Sequence, residues 1–96
     1  MADLHEHPAA AALRIEGDMT IYRAAELKET LLQALYGAGV LEIDLSAVSE
    51  IDSSGVQLLM LARNTAQANQ QQLRLLNPSP AVKEVLNTFN LTAWFE

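Results

Sequence analysis

Apolar residues along this chain recur at a spacing of two in some stretches and of three or four in the stretches between them. That switching limits the possible folds more than any single residue does. Leu13, Ile15 and Met19 alternate loosely with Arg14, Glu16 and Asp18, which predicts a strand with one buried face, bulged at Gly17. From about Arg23 to Tyr36 the period changes: Ala24, Leu27, Leu31 and Leu35 return every three or four residues, while Glu26, Lys28, Glu29 and Gln33 fall elsewhere. This is the pattern of an amphipathic helix, and Gly37 suits its C-terminal cap. Val40, Leu41, Ile43 and Leu45 form a short, mostly apolar run that fits a strand covered by helices on both sides. Residues 46–55 read as a polar connection anchored by Val48 and Ile51, and a second helix is expected from about Ser54 to Asn69. Leu73–Leu76 reads as another strand. Ser79 then suits an N-cap and Pro80 the first helical position. Val82, Val85, Leu86 and Phe89 stand at i, i+3, i+4 and i+7 of a third helix that Asn90 ends, and Thr92–Phe95 is expected to add a short edge strand.

Strand and helix patterns in alternation predict crossover units. The expected fold is α/β, a small mixed but largely parallel sheet flanked by about three helices. With 96 residues there is material for one core, so residues 13–96 are read as a single domain and residues 1–12 as a mobile N-terminal tail. Twelve acids against six Lys or Arg give a net charge of -6, which opposes binding to nucleic acid or to an acidic membrane surface. The longest near-continuous apolar run, Val56 to Ala62, is interrupted at Gln57 and ends at Arg63, too short for membrane insertion. No cysteine is present, and the first residues lack the basic and apolar regions of a secretory signal, so a cytoplasmic location is expected.

The stretch with most chemical content is Asp52-Ser53-Ser54-Gly55-Val56-Gln57. Ser54 to Gln57 fits the S-x-x-Q capping box, in which the Ser54 hydroxyl accepts from the Gln57 N–H; that assignment leaves Ser53 to face solvent. A pair of serines at a helix start often does no more than cap. In the helix that follows, Leu58, Leu59, Ala62 and Ala66 share one side, whereas Val56 and Met60 point away from it and are expected to form an exposed docking pair. His5 and His7 have only Asp3 and Glu6 nearby, too few fixed ligands for a metal site. Asp44, Glu50 and Asp52 have no histidine or lysine close in sequence to complete a catalytic set. Gly37-Ala38-Gly39 follows a helix where a nucleotide-binding loop would precede one. The residues therefore point to neither an enzyme nor a cofactor.

Three landmarks in order resemble the STAS family, the domain shared by anti-sigma factor antagonists and sulphate transporters. They are Leu13-Arg14-Ile15-Glu16-Gly17-Asp18, then Asp52-Ser53-Ser54-Gly55, then Asn77-Pro78-Ser79-Pro80-Ala81-Val82. The resemblance implies that Ser53 is the residue a kinase phosphorylates, in a loop formed with Asp52, Ser54 and Gly55, with Asp52 orienting the loop or assisting phosphate transfer. It further implies a protein partner, either a serine kinase or anti-sigma-type regulator, or a two-component or chemotaxis protein, bound by the unphosphorylated form. The alternative it allows is a constitutive, non-catalytic adaptor subunit of a bacterial phospholipid-transport ATPase complex. Sigma-pathway members commonly carry an aspartate associated with kinase recognition where this chain has Thr20.

Overall fold

The computed structural model describes residues 10–95, with side chains through residue 93. Three strands, β1 (Ala10–Met19), β2 (Val40–Ile51) and β3 (Gln72–Leu76), form one sheet in the order β1-β2-β3 with both pairings parallel. Three helices, α1 (Ala24–Leu35), α2 (Ser53–Ala68) and α3 (Pro80–Thr88), join them, and short 3-10 turns occupy Ile21–Arg23 and Thr92–Phe95. The parallel sheet follows from the connections, since each crossover contains a helix.

Four features differ from the sequence-based expectation. Ala10–Ala12, read as tail, begin β1 by pairing with Val40–Glu42. Residues 46–51, read as a polar connection, continue β2 as the partner of Glu16–Met19. Ten residues of β1 face twelve of β2, and the two extra residues enter at register shifts between Arg14 and Glu16 and between Gly17 and Asp18. Those shifts place Leu45, Val48 and Ile51 in the core at a spacing of three, so the period of two that marks a strand is lost. Gly17, with φ +85, lies opposite Val48 at the second shift. Thr92–Phe95 is a 3-10 turn, not an edge strand. Finally, among the described residues β2 is not covered on both faces. Leu41, Ile43 and Leu45 are buried, while Glu42 and Asp44 on the opposite face are half-buried beside exposed Arg14 and Arg74.

The core lies between the sheet and the helices. Leu27, Leu31 and Leu35 of α1 and Leu58, Leu59, Ala62 and Ala66 of α2 join Leu41, Ile43 and Leu45 in one cluster. Val82 and Leu86 of α3 belong to the same cluster, and the Ser79 N–H donates to the Leu45 carbonyl, which sets α3 against the part of β2 beyond the end of β3. The Ser79 hydroxyl accepts from Val82 N–H at 3.2 Å with Pro80 next to it, the cap the sequence predicts. Gly37, with φ +76, follows the last turn of α1 as expected. Asn90 ends α3 in the left-handed region, its N–H on the Asn87 carbonyl and the Leu91 N–H on the Leu86 carbonyl.

Candidate functional site

The site begins where β2 meets α2. The Asp52 N–H donates to the Met19 carbonyl at 3.3 Å, which ends the sheet beside the last residue of β1. Asp52 itself is extended, its carbonyl accepts the first helical bond from Val56 N–H, and its Oδ1 accepts from Gly55 N–H at 3.1 Å. Asp52 is thus the N-cap of α2. This corrects the capping box: Ser54 lies inside the first turn, where the backbone is already helical and its hydroxyl cannot take the cap position. The helix starts earlier than the Ser54–Gln57 pattern suggests because the tie to Met19 ends the strand at Ile51. Gly55 is buried against that junction, and a Cβ there would stand 2.3 Å from the Met19 carbonyl oxygen and 2.7 Å from Ile51 Cγ1.

The second oxygen of Asp52, Oδ2, accepts from Ile21 N–H at 3.1 Å. Both oxygens therefore hold backbone N–H groups, and the carboxylate orients the loop. Beside it, the Thr20 hydroxyl donates to Asp18 Oδ2 and Thr20 is buried. The Arg23 Nη1 donates to the carbonyls of Glu16 at 2.7 Å and Asp18 at 2.8 Å, closing the far end of the Ile21–Arg23 turn.

Ser53 is exposed at the first position of α2. Gln57, Met60 and Asn64 follow at offsets of four, seven and eleven, so all four lie within an arc of about 60° on one helix face, and all four are exposed. Met60, 43% exposed, stands roughly 10 Å along the helix axis from Ser53. Val56 is different. It is only 4% exposed and belongs to the core cluster, so it cannot form the exposed pair with Met60. It sits on the flank of α2 and widens the buried arc of that helix, which packs against α1 as well as against β2 and β3. The apolar exposure near Ser53 comes instead from Ile21 (62%) and Tyr22 (93%), next to Asp52 through the Ile21 bond. Sequence reasoning passed over these two. Their signal was a pair of large apolar residues lying between the strand pattern and the helix pattern and fitting neither.

The three carboxylates considered for catalysis are not gathered together. Asp44 and Asp52 are eight residues apart along β2, roughly 20–25 Å. Asp44 accepts from the Ser46 N–H at 2.9 Å, and that bond, helped by the Ser46 hydroxyl and by Arg14 across the strand pair, holds its carboxyl below the ordinary value of 3.8. Among the described residues no group of three or more His, Asp or Glu side chains is placed to hold a metal; His5 and His7 lie outside them. No described helix is long and apolar enough to cross a membrane.

The family described as "Mlab, STAS domain" matches residues 2–94 of the chain. The chain belongs to the STAS-domain family. A sulfate transporter of Stylosanthes hamata, described as high affinity sulfate transporter 2, is 28% identical over 96 aligned residues, which cover 88% of this STAS chain and 14% of the transporter. The STAS chain thus spans a small part of that relative's length. The fold is also that of the anti-sigma factor antagonist SpoIIAA in its unphosphorylated form, with a TM-score of 0.77 at 23% identity, covering 94% of this chain and 80% of that one. A sulfate transporter family protein from Wolinella succinogenes superposes with a TM-score of 0.74 at 21% identity, covering 91% of this chain and 71% of that one.

Proposed function

We propose that this STAS domain is a non-catalytic regulator that binds a protein partner over the start of α2 and is switched by phosphorylation of Ser53. The observation that carries the reading is the placement of Ser53: exposed, at the first position of a helix, beside Asp52, each of whose carboxylate oxygens holds a backbone N–H. A kinase would transfer the γ-phosphoryl group of ATP to Ser53 Oγ. The new P–O bond forms as the bond to ADP breaks, and the hydroxyl proton passes to the kinase's base. The product places roughly -1.5 to -2 charges at a helix N-terminus, where unpaired N–H groups and the helix dipole favour an anion. The domain tolerates that charge, and a partner packed over Ser53, Met60, Ile21 and Tyr22 does not, because it would have to desolvate the phosphate beside Glu50 and Asp52. The partner class is a serine kinase or anti-sigma-type regulator, or a two-component or chemotaxis protein, and the compartment is the cytoplasm.

The adaptor reading, a constitutive subunit of a phospholipid-transport ATPase complex, shares the same surface without the switch. It is favoured by Thr20, whose side chain is turned inward to Asp18 where sigma-pathway members carry the aspartate associated with kinase recognition. Mass spectrometry of the chain purified from its native cell, joined to photo-crosslinking from position 22, separates the two. The switch requires phosphate on Ser53, a crosslinked partner for Ser53→Ala, and weak crosslinking for Ser53→Asp. A Ser53 that never carries phosphate, with equal crosslinking by both variants, establishes the adaptor instead.

A further inference from the structure

Asp52 holds two parts of the molecule with one carboxylate. Oδ1 accepts from Gly55 in its own helical turn, and Oδ2 accepts from Ile21, 31 residues earlier in the chain. The Ile21–Arg23 turn is therefore pinned at both ends. At Arg23 the guanidinium grips the Glu16 and Asp18 carbonyls of β1 and approaches the Glu26 carboxylate at 3.5 Å, and none of these contacts involves α2. At Ile21 the fastening depends on where the Asp52 carboxylate points.

The geometry points to Asp52 as a relay: a phosphoryl group on Ser53 drives Asp52 Oδ2 off the Ile21 N–H and releases the Ile21–Tyr22 end of the turn. This rests on Ser53 accepting phosphate as proposed above. Ser53 and Asp52 are adjacent at one helix terminus, so the phosphate dianion repels the Asp52 carboxylate. Of the two bonds Asp52 makes, the one to Gly55 closes the helix start and is part-buried, whereas the one to Ile21 is exposed and joins segments far apart in sequence. The exposed bond opens. The helix keeps its first turn through the Val56 N–H on the Asp52 main-chain carbonyl, and Arg23 keeps the other end of the turn in place. Phosphorylation on α2 thereby alters the exposed Ile21 and Tyr22 ahead of α1 without unfolding the domain.

The test is residue-resolved amide hydrogen exchange by NMR on the full chain, with Ser53 unmodified and with phosphoserine encoded genetically at that position. Exchange at the Ile21 amide should rise about fivefold or more, the effect of losing one hydrogen bond, while the Val56 amide stays protected. Unchanged Ile21 protection in the fully phosphorylated chain overturns the relay, and so does loss of protection at both amides, which would mean the helix start itself frays. Asp52→Asn supplies a second arm. Asparagine caps a helix as well as aspartate but offers a single carbonyl oxygen, so the unphosphorylated variant should stay folded, keep the Gly55 bond and already show the fast Ile21 exchange. An Asp52→Asn chain with Ile21 still protected also overturns the relay. Partner release on phosphorylation with Ile21 unaffected removes the relay alone. A responsive Ile21 with partner affinity unchanged removes the proposed function alone.

Discussion

A methyl group at Gly55 would stand 2.3 Å from the Met19 carbonyl oxygen, against backbone that also accepts the Asp52 N–H. Gly55→Ala must push α2 away from the β1–β2 junction, and urea unfolding should show a loss of about 2–3 kcal/mol. The Asp52 cap makes a contrasting pair. Asp52→Ala should lose about 0.5–2 kcal/mol, with more added for the freed Ile21 N–H, whereas Ser54→Ala should change stability by no more than about 0.5 kcal/mol. Equal losses in thermal melts of the two variants would reinstate Ser54 as the cap. Asp44 gives a pH prediction. Its folded carboxyl titrates below the ordinary 3.8, held there first by the Ser46 N–H, so its stabilising contribution is complete above that value and is lost as pH falls through the lowered one. Melting temperatures of the wild-type chain and Asp44→Asn, followed from about pH 5 down to about pH 2, should converge at the acid end.

At the scale of elements, the start of α2 is built for an anion. Ser53→Asp adds charge where the helix dipole favours it, so circular dichroism should be unchanged and stability should move by less than about 0.5 kcal/mol, even though partner binding falls. A large loss of helix signal would mean that Glu50 and Asp52 already saturate the site with negative charge. The ends of α2 and α3 show how one device serves two helices. Gln70 and Asn90 both adopt left-handed backbone, at φ 58 and φ 65, and the next residue in each case returns its N–H to a carbonyl of the last turn, Gln71 to Ala66 and Leu91 to Leu86. Gln71 then donates its side-chain amide to the Leu35 and Ala38 carbonyls, so the end of α2 also secures the end of α1. Asn90 was recognisable as a helix end because asparagine tolerates that conformation. Gln70 carried no such mark.

Across the whole molecule a single cluster links residues from all three strands and all three helices. Unfolding by denaturant should therefore be one cooperative transition, coincident by circular dichroism and by the NMR signals of the core methyl groups, and Leu59→Ala, at a fully buried position, should shift it by about 2–5 kcal/mol. The existence, type and order of the three helices and of the three strands were legible in the sequence, because the period of apolar residues reports which face of an element leaves water. So was the exposure of Ser53, although the reason was wrong: Asp52 caps the helix, and Ser54 does not. What the tertiary structure alone decided are the features set by contacts between segments distant in sequence. The second half of β2 is a strand because β1 lies beside it, and two register shifts erase the alternation that would have announced it. Val56, which the helical period sets apart from Leu58, Leu59, Ala62 and Ala66, is nonetheless buried in the shared core cluster. Ile21 is tied to Asp52 because the sheet brings the end of β1 next to the end of β2. A one-dimensional period records how a segment divides between core and solvent, but the neighbour that covers a flank or accepts a hydrogen bond is chosen only when the segments pack.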